Sequence, residues 1–330
     1  PLHYRNKAQY PIGINKQGEP VIGVFANRTH EVIPIDNCLI QNKKSEEIAK
    51  FIIEFIKEKN ISIYDEKTGK GLVRHIVTKV GIKTGEIMCV IVINGHKIPN
   101  ENELVENLKT RYPEIKAIVK NINMKNTNVI LGQENINLYG NGYIEDILGE
   151  YKFKISPLSF YQVNPVQAEK LYNLGVSMAE ITKNDVVFDL YCGIGTISLF
   201  MSKFAKKVYG IEIVEEAVKM AKENAQNNNV SNTEFFAGDV EIVLDDLINN
   251  KGLKADVVMF DPPRKGLDKK SIDNILNIRP KKIVYISCNP ATLIRDLADF
   301  ENEYDIKTII PVDMFPFTSH VECVATLQLK

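Results

Sequence analysis

A chain of 330 residues is longer than one hydrophobic core usually serves, so two domains are expected. With 44% hydrophobic and 25% charged residues it has the make-up of a globular protein, which excludes a disordered chain, a collagen and a coiled coil. Its 41 Lys and Arg against 42 Asp and Glu leave a net charge of −1, which excludes a uniformly basic nucleic-acid binder but not a local cluster of cations. No apolar run reaches the ~18 residues of a membrane span; the longest, such as Met88–Ile93, are strand-sized. The first residues, PLHYRNKAQYPIG, lack both Met and a secretory pattern, so the chain is expected to be a piece of something longer. Five scattered cysteines without a CxxC pair point to free thiols in a reducing cytoplasmic compartment.

In chain order, the first predicted element is a helix over Ser45–Lys59. Ser45 is its expected cap, Glu46 and Glu47 lie in the first turn, and Ile48, Phe51, Ile52 and Phe55 fall at helical spacing. Strands are expected at Leu72–Val80 and Ile87–Ile93, on either side of a turn at Lys83–Gly85. A helix over Glu101–Arg111 stops before Pro113, and a strand pair, Ala117–Ile122 with Val129–Gly132, follows. Strands and helices that do not strictly alternate suggest a smaller α+β module over residues 1–155. From about Tyr151 the rhythm changes. Short apolar runs at Val186–Leu190, Lys207–Ile211, Thr233–Ala237, Asp256–Phe260 and Lys282–Ser287 alternate with helices such as Val214–Asn227, whose repeating face is read as Ala217, Met220, Ala221 and Asn224. Such a series predicts a doubly wound, Rossmann-like α/β domain over residues 156–330, closed by strands at Lys307–Val312 and Val321–Leu327.

The strongest local signal is Asp189-Leu-Tyr-Cys-Gly193-Ile-Gly195-Thr, between a buried strand and a helix. Two close glycines let the backbone turn sharply and approach a ligand. Glu212 closes the next strand, where a carboxylate can accept from ribose hydroxyls. Asp239 follows the third strand, placed for an adenine edge, and Asp261 ends the fourth. A dinucleotide site would want Gly or Ala in place of Ser198 and a pyrophosphate at the helix start. Acids at four successive strand ends favour a cationic sulfonium nucleoside, S-adenosylmethionine.

Asp261-Pro-Pro is followed by Arg264 and Lys265 where amino-group methyltransferases carry an aromatic, which argues for cationic contact with a phosphate or carbonyl. Cys288 ends the next strand, just before a helix whose positive end is expected to lower the thiol pKa. A lone cysteine is more often a buried structural thiol, but the strand-breaking Asn-Pro and the shared sheet edge with DPPR favour a nucleophile. Glu322 interrupts an apolar strand; taken alone, it reads equally as a solvent-facing residue. Together these groups fit alkylation of the C5 carbon of uracil. A thiolate adding to C6 makes C5 nucleophilic, a base removes the C5 proton, and a cation stabilises charge on O4.

The segments FYQVNPVQAEKLY, DLYCGIGTISL, GIEIVEEAVKMAKENA, FDPPRKGLD, YISCNPATLIRDL and HVECVATL together resemble the RNA uracil-C5 methyltransferases, which make 5-methyluridine in 23S rRNA and tRNA, and YRNKAQYPIG resembles that family's central RNA-binding segment. The resemblance implies an S-adenosylmethionine-dependent methyltransferase domain preceded by an RNA-binding domain. It implies Cys288 as nucleophile and Glu322 as proton acceptor. Gln162, Tyr191, Gly193, Glu212, Asp239 and Asp261 would contact the cofactor, and Arg264 and Lys265 the substrate. The family's usual β-barrel and cysteine-rich iron–sulfur motif are expected to be absent from this chain. Cys38 resembles the last cluster ligand, able to serve a [4Fe–4S] cluster only in a longer protein that carries the other three. The implied partner is a flipped or single-stranded uridine in RNA, with 23S rRNA favoured on the likeness of HVECVATLQ and Cys38 to the ribosomal branch. A monomer without membrane association is expected. A tRNA substrate is the alternative; a non-catalytic RNA-binding or assembly protein and a small-molecule or amino-group methyltransferase are the competitors from other classes.

Overall fold

The computed structural model describes residues Leu2–Lys330. It forms two compact units, one made of the residues up to Ile147 together with Lys154–Leu158, the other of Leu148–Phe153 and Ser159–Lys330.

The first unit contains β1 (Lys7–Ile14), β2 (Pro20–Phe25), β3 (Val32–Pro34), α1 (Lys43–Glu58), β4 (Val73–Val80), β5 (Ile87–Ile93), α2 (Glu101–Arg111), β6 (Ile115–Ile122) and β7 (Glu134–Tyr139). Its sheet runs β3-β2-β1-β4-β5-β6-β7. β4 and β5 are buried along their whole length, which is why they read as continuous apolar runs. Ile48, Ile52 and Ile56 of α1 and Leu104 and Leu108 of α2 join them in one core.

Two local expectations fail here, and three strands were not foreseen. The cap of α1 is Asn42, whose side chain accepts from Lys44 N at 2.9 Å, and Ser45 lies buried inside the helix with no partner for its hydroxyl among the described residues. Residues Val129–Gly132 are loop, and β6 pairs instead with Glu134–Tyr139. Buried asparagines replace the ladder: Asn123 Nδ2 donates to the carbonyls of Val129 (2.7 Å) and Ile130 (3.1 Å), and Asn121 Nδ2 to that of Gly132 (2.8 Å). Strands β1–β3 escaped the sequence pattern because Pro11, Gly13 and Gly23 interrupt it. Gly23 is required there, since a Cβ at that position would come 1.9 Å from the Ile33 carbonyl oxygen.

A two-stranded hairpin, β8 (Ile144–Leu148) and β9 (Tyr151–Ile155), follows. The second unit then runs α3 (Pro165–Ala179), β10 (Val186–Leu190), α4 (Thr196–Ser202), β11 (Lys207–Glu212), α5 (Glu215–Asn227), β12 (Thr233–Ala237), α6 (Val240–Asp245, continued by one π-helical turn), β13 (Val257–Phe260), α7 (Lys269–Ile278), β14 (Lys282–Ser287), α8 (Pro290–Phe300), β15 (Tyr304–Val312) and β16 (Glu322–Leu329). Its sheet has the order β12-β11-β10-β13-β14-β16-β15. Five strands are parallel, and β16 enters antiparallel between β14 and β15. This is the doubly wound α/β fold, with its order reversing between β10 and β13, where such sheets bind ligands. The buried stripe of α5 is Val218, Ala221, Asn224 and Ala225; Ala217 and Met220 are only partly buried, because the stripe starts one position later than the sequence reading placed it. Among the described residues no helix is long and apolar enough to cross a membrane.

Replacing Asn42 by Ala should cost about 1 kcal/mol, whereas Ser45→Ala should be neutral or slightly stabilising because it removes an unpartnered buried hydroxyl. Urea denaturation of the two variants, followed by helical circular dichroism, checks the assignment of the cap.

Candidate functional site

The glycine loop after β10 is built from strained backbone. Tyr191 takes φ 65°, a region costly for a residue with a side chain, and such strain concentrates at ligand sites. Gly193 (φ 55°) and Gly195 (φ 82°) do different work. A Cβ on Gly193 would meet nothing, so its backbone faces open space, whereas one on Gly195 would press to 3.2 Å on Ala221 and Phe235. The first glycine leaves room for a ligand; the second lets α4 pack.

Glu212 at the end of β11 ties this loop together. One carboxylate oxygen accepts from Gly193 N at 3.1 Å and the other from Val214 N at 2.9 Å. Each oxygen keeps a lone pair for a further donor. Ser198 explains itself here: where a dinucleotide binder would have Gly or Ala, its hydroxyl donates to the Asp189 carboxylate. Asp189 is fully buried, its other oxygen has no partner among the described residues, and burial pushes its pKa up to about 7.

The remaining expected cofactor residues gather nearby. Tyr191 packs into the apolar cluster of the sheet, burial raises its phenol to about 12, and Asp239 is among its charged neighbours. Asp239 caps α6, accepting from Glu241 N at 3.0 Å. Gln162, nearly buried, hydrogen-bonds the hydroxyl of buried Tyr172, which also meets Thr196 and feels Asp261 and Asp189. The loop that carries Gln162 is anchored by Asn164. That residue caps α3 through Gln167 N (3.3 Å) and donates to the Met314 carbonyl (2.9 Å), fastening the loop that leads into β16.

The expected catalytic residues meet at one edge of the sheet. The parallel register pairs Phe260 with Tyr285, and the antiparallel register pairs Ser287 with Cys323. Asp261 and Cys288 therefore stand just past the ends of β13 and β14. One further step in register sets Cys288 opposite Glu322. Glu322 is only 3% exposed, and burial raises its pKa to about 7, with Arg264 opposing the shift. Burial pushes Asp261 well above the carboxylate range, helped by Glu322 and Asp189.

Cys288 corrects one expectation. The thiol is pushed up, first by burial, then by Glu322 and Asp261, with Arg264 pulling the other way. The end of a helix contributes ~0.3–1 kcal/mol, which burial and two carboxylates outweigh. Of the two expected cations, only Arg264 is among these groups; its guanidinium lies 3.4 Å from His320 Nε2 and its carbonyl accepts from Asn289 Nδ2 at 3.1 Å. Lys265 is exposed, and its carbonyl accepts from Arg295. Sequence reasoning missed His320, Tyr172, Asn164 and Asn289. The adjacency of His320 to Glu322 and the cap positions before Pro165 and Pro290 were the available signals. Cys38, in the other unit, is a half-buried thiol, and no group of three His, Cys, Asp or Glu suited to a metal occurs among the described residues.

The family model described as tRNA (uracil-5-)-methyltransferase matches residues 1–330. The chain belongs to this family. Within it, the chain is 50% identical over 329 residues to an uncharacterized RNA methyltransferase of Caldanaerobacter subterraneus subsp. tengcongensis, covering 99% of this chain and 72% of that protein. It is 46% identical to a Staphylococcus aureus protein of the same description, covering 100% of this chain and 73% of that one. A similar solved structure is the tRNA (uracil-54, C5)-methyltransferase of Pyrococcus abyssi in complex with S-adenosyl-L-homocysteine. Its TM-score is 0.81 at 30% identity, over 99% of this chain and 76% of that one.

In the native protein, iodoacetamide should alkylate Cys38 and Cys288 and spare buried Cys89, Cys192 and Cys323. The rate at Cys288 should keep rising above pH 9, because its thiol is shifted upward. Peptide mass mapping checks both, and a Cys288 protected as well as Cys192 would contradict the site.

Proposed function

We propose that this chain transfers the methyl group of S-adenosylmethionine to C5 of a uridine in RNA, with Cys288 as nucleophile and Glu322 as proton acceptor. The observation that carries the reading is the register of β14 against β16, which sets a thiol opposite a buried carboxylate at the ligand edge of the fold. Membership of the uracil-5 family supports the same chemistry.

The residues fit the cofactor. The unpartnered Asp189 oxygen, the open side of Gly193 and the lone pairs of Glu212 suit an ammonium, a close backbone approach and ribose hydroxyls. Gln162, Tyr191, Asp239 and Asp261 complete the set that would hold it. S-adenosylmethionine supplies an electrophilic methyl group on a sulfonium. The chain's own part concerns the pyrimidine. Cys288 Sγ gives its proton to solvent and bonds to C6, and the electron pair of the C5–C6 double bond moves to C5 and O4. Arg264 stabilises both the thiolate and the charge on O4, and Lys265 is assigned to the RNA backbone. Once C5 carries the methyl group, Glu322 removes the C5 proton, the C5–C6 double bond re-forms and the Cys288 sulfur leaves. A stacked base hides C5 and C6, so the target uridine must be unpaired or flipped.

We assign 23S rRNA as the substrate, on the likeness of HVECVATLQ and Cys38 to the ribosomal branch, and with it a cytoplasmic setting. The Pyrococcus abyssi structure, an enzyme of tRNA uracil-54, favours tRNA as the second reading. Mass mapping of 5-methyluridine in rRNA and tRNA from cells that lack the protein separates the two.

Two variants test the roles. Cys288→Ala should form no covalent adduct with RNA that carries 5-fluorouridine and no methylated product. Glu322→Gln should slow release about 10²–10⁴-fold and leave methylated RNA attached, as gel mobility under denaturing conditions would show. Rapid normal turnover of Glu322→Gln would defeat that role. The pH profile follows from the same carboxyl. Its raised pKa keeps it protonated below about 7, so the base is lost as pH falls through that value. The wild-type rate should rise through pH 7 as Glu322 ionises and go on rising in alkali as the Cys288 thiol ionises, and Glu322→Gln should lack the limb near pH 7.

A further inference from the structure

The first unit holds a cavity of about 430 Å³ that the chemistry above does not use. Phe25, Arg28 and His30 of the β2–β3 hairpin line it, with His75 of β4, Glu66 and Asn128. His75 is 3% exposed, and neither of its ring nitrogens meets a hydrogen-bond partner among the described residues. Leaving two such groups unmade in a buried strand is costly, and it is a cost that a ligand in the cavity would remove.

The rest of the cavity is held in place. Arg74, 2% exposed, donates from one nitrogen to the carbonyls of Asn123 (2.8 Å) and Lys125 (2.9 Å), from another to Glu66 (3.1 Å), and lies 4.2 Å from the Tyr64 ring. It thereby fixes two walls, the Glu66 segment and the loop after β6. The third wall is the hairpin tip, closed by Ala26 N to Glu31 O at 2.8 Å and by a left-handed Arg28. Phe25 stands edge-on to both His75 (6.0 Å) and His30 (5.7 Å), giving an aromatic lining.

The chemistry of the lining narrows the ligand. Glu66 is neutralised by Arg74, and His30, His75 and Glu66 do not form a metal-holding group. Burial and the neighbouring Arg74 lower the His75 pKa to about 4, so its ring is neutral, with one donor and one acceptor. An uncharged, planar group with both a donor and an acceptor on its edge matches this interior. Exposed Arg28 at the mouth matches an attached phosphate. A volume of this order accommodates a nucleotide.

We propose that this cavity binds one unpaired base of the RNA, a different base from the uridine that is methylated. Phe25 stacks on it, His30, perpendicular to Phe25, meets its edge, His75 reads its polar groups and Arg28 holds its phosphate. The proposal rests on the reading of RNA as the substrate, and the test separates the two.

The full chain is assayed with unmodified transcripts of 23S rRNA and tRNA. Phe25→Ala, Arg28→Ala and His75→Leu should each raise KM for the methylated RNA about tenfold with kcat within about twofold. Ultraviolet crosslinking of the wild type should place RNA on the peptide spanning residues 25–30 or on β4, and Phe25→Ala should abolish that crosslink. His75→Leu removes a buried side chain and risks the fold; Phe25→Ala and Arg28→Ala change exposed positions and carry the test alone. Unchanged KM in both, with wild-type methylation intact, overturns the cavity and leaves the methylation reading standing. Methylation of neither transcript defeats the methylation reading, and the crosslink then decides the cavity: its absence from these segments overturns it. Displacement of the crosslink by millimolar AMP, GMP, CMP or UMP would identify a free mononucleotide as the occupant and overturn the RNA assignment.

Discussion

The pairing of β14 with β16 is the constraint on which the proposed site depends. Cys288 and Glu322 stand on strands that run in opposite directions, so each reaches the same edge of the sheet from a different end of its strand. A slip of one residue would turn Glu322 to the other face. Both strands are buried through most of their length, and that burial is what holds the register. The geometry of the proposed pair is a by-product of packing: the side chains of Val324, Ala325 and Leu327 fix where a carboxylate lies relative to a sulfur.

The same burial sets the electrostatics. Asp189, Asp261 and Glu322 all lie inside the unit, and burial raises the pKa of each. Arg264 is the cation whose field reaches both Glu322 and Cys288. A site of this kind costs the fold stability at neutral pH. Raised carboxyl pKa values mean that the folded chain holds more protons than the unfolded one between about pH 4.5 and 7, so stability falls as pH rises through that window. What the arrangement offers in return is a low-dielectric, acid-rich pocket suited to a cationic sulfonium, and a carboxyl whose pKa near 7 suits the proton transfer proposed for Glu322.

Much of this was legible in the sequence, and the reason differs between the two units. In the second, short apolar runs buried on both faces end abruptly in Gly, Asp or Cys, so the strands and the residues at their tips could be read together: Val186–Leu190, Thr233–Ala237 and Lys282–Ser287 fall where the pattern puts them. In the first, Pro11 and Gly23 break the alternation of β1 and β2, and the amides of Asn121 and Asn123 satisfy the carbonyls of a loop that otherwise reads as a strand. The α1 cap went to Asn42 over Ser45 because two good capping residues lie three apart and only the surrounding chain chooses between them. The direction of the Cys288 shift was illegible for a deeper reason: the sequence shows a thiol before a helix, but not that Glu322 folds back beside it.

The insertion of β16 between β14 and β15 also orders the folding of this unit. β15 precedes β16 along the chain yet has no place in the sheet until β16 has docked, because among the described residues it pairs with β16 alone. A growing polypeptide therefore carries β15 as an orphan strand, and the thiol at 288 waits without its carboxylate. The proposed reactive pair comes into being in the same step that seals the sheet, so on that proposal an incompletely made copy of this unit would be chemically inert.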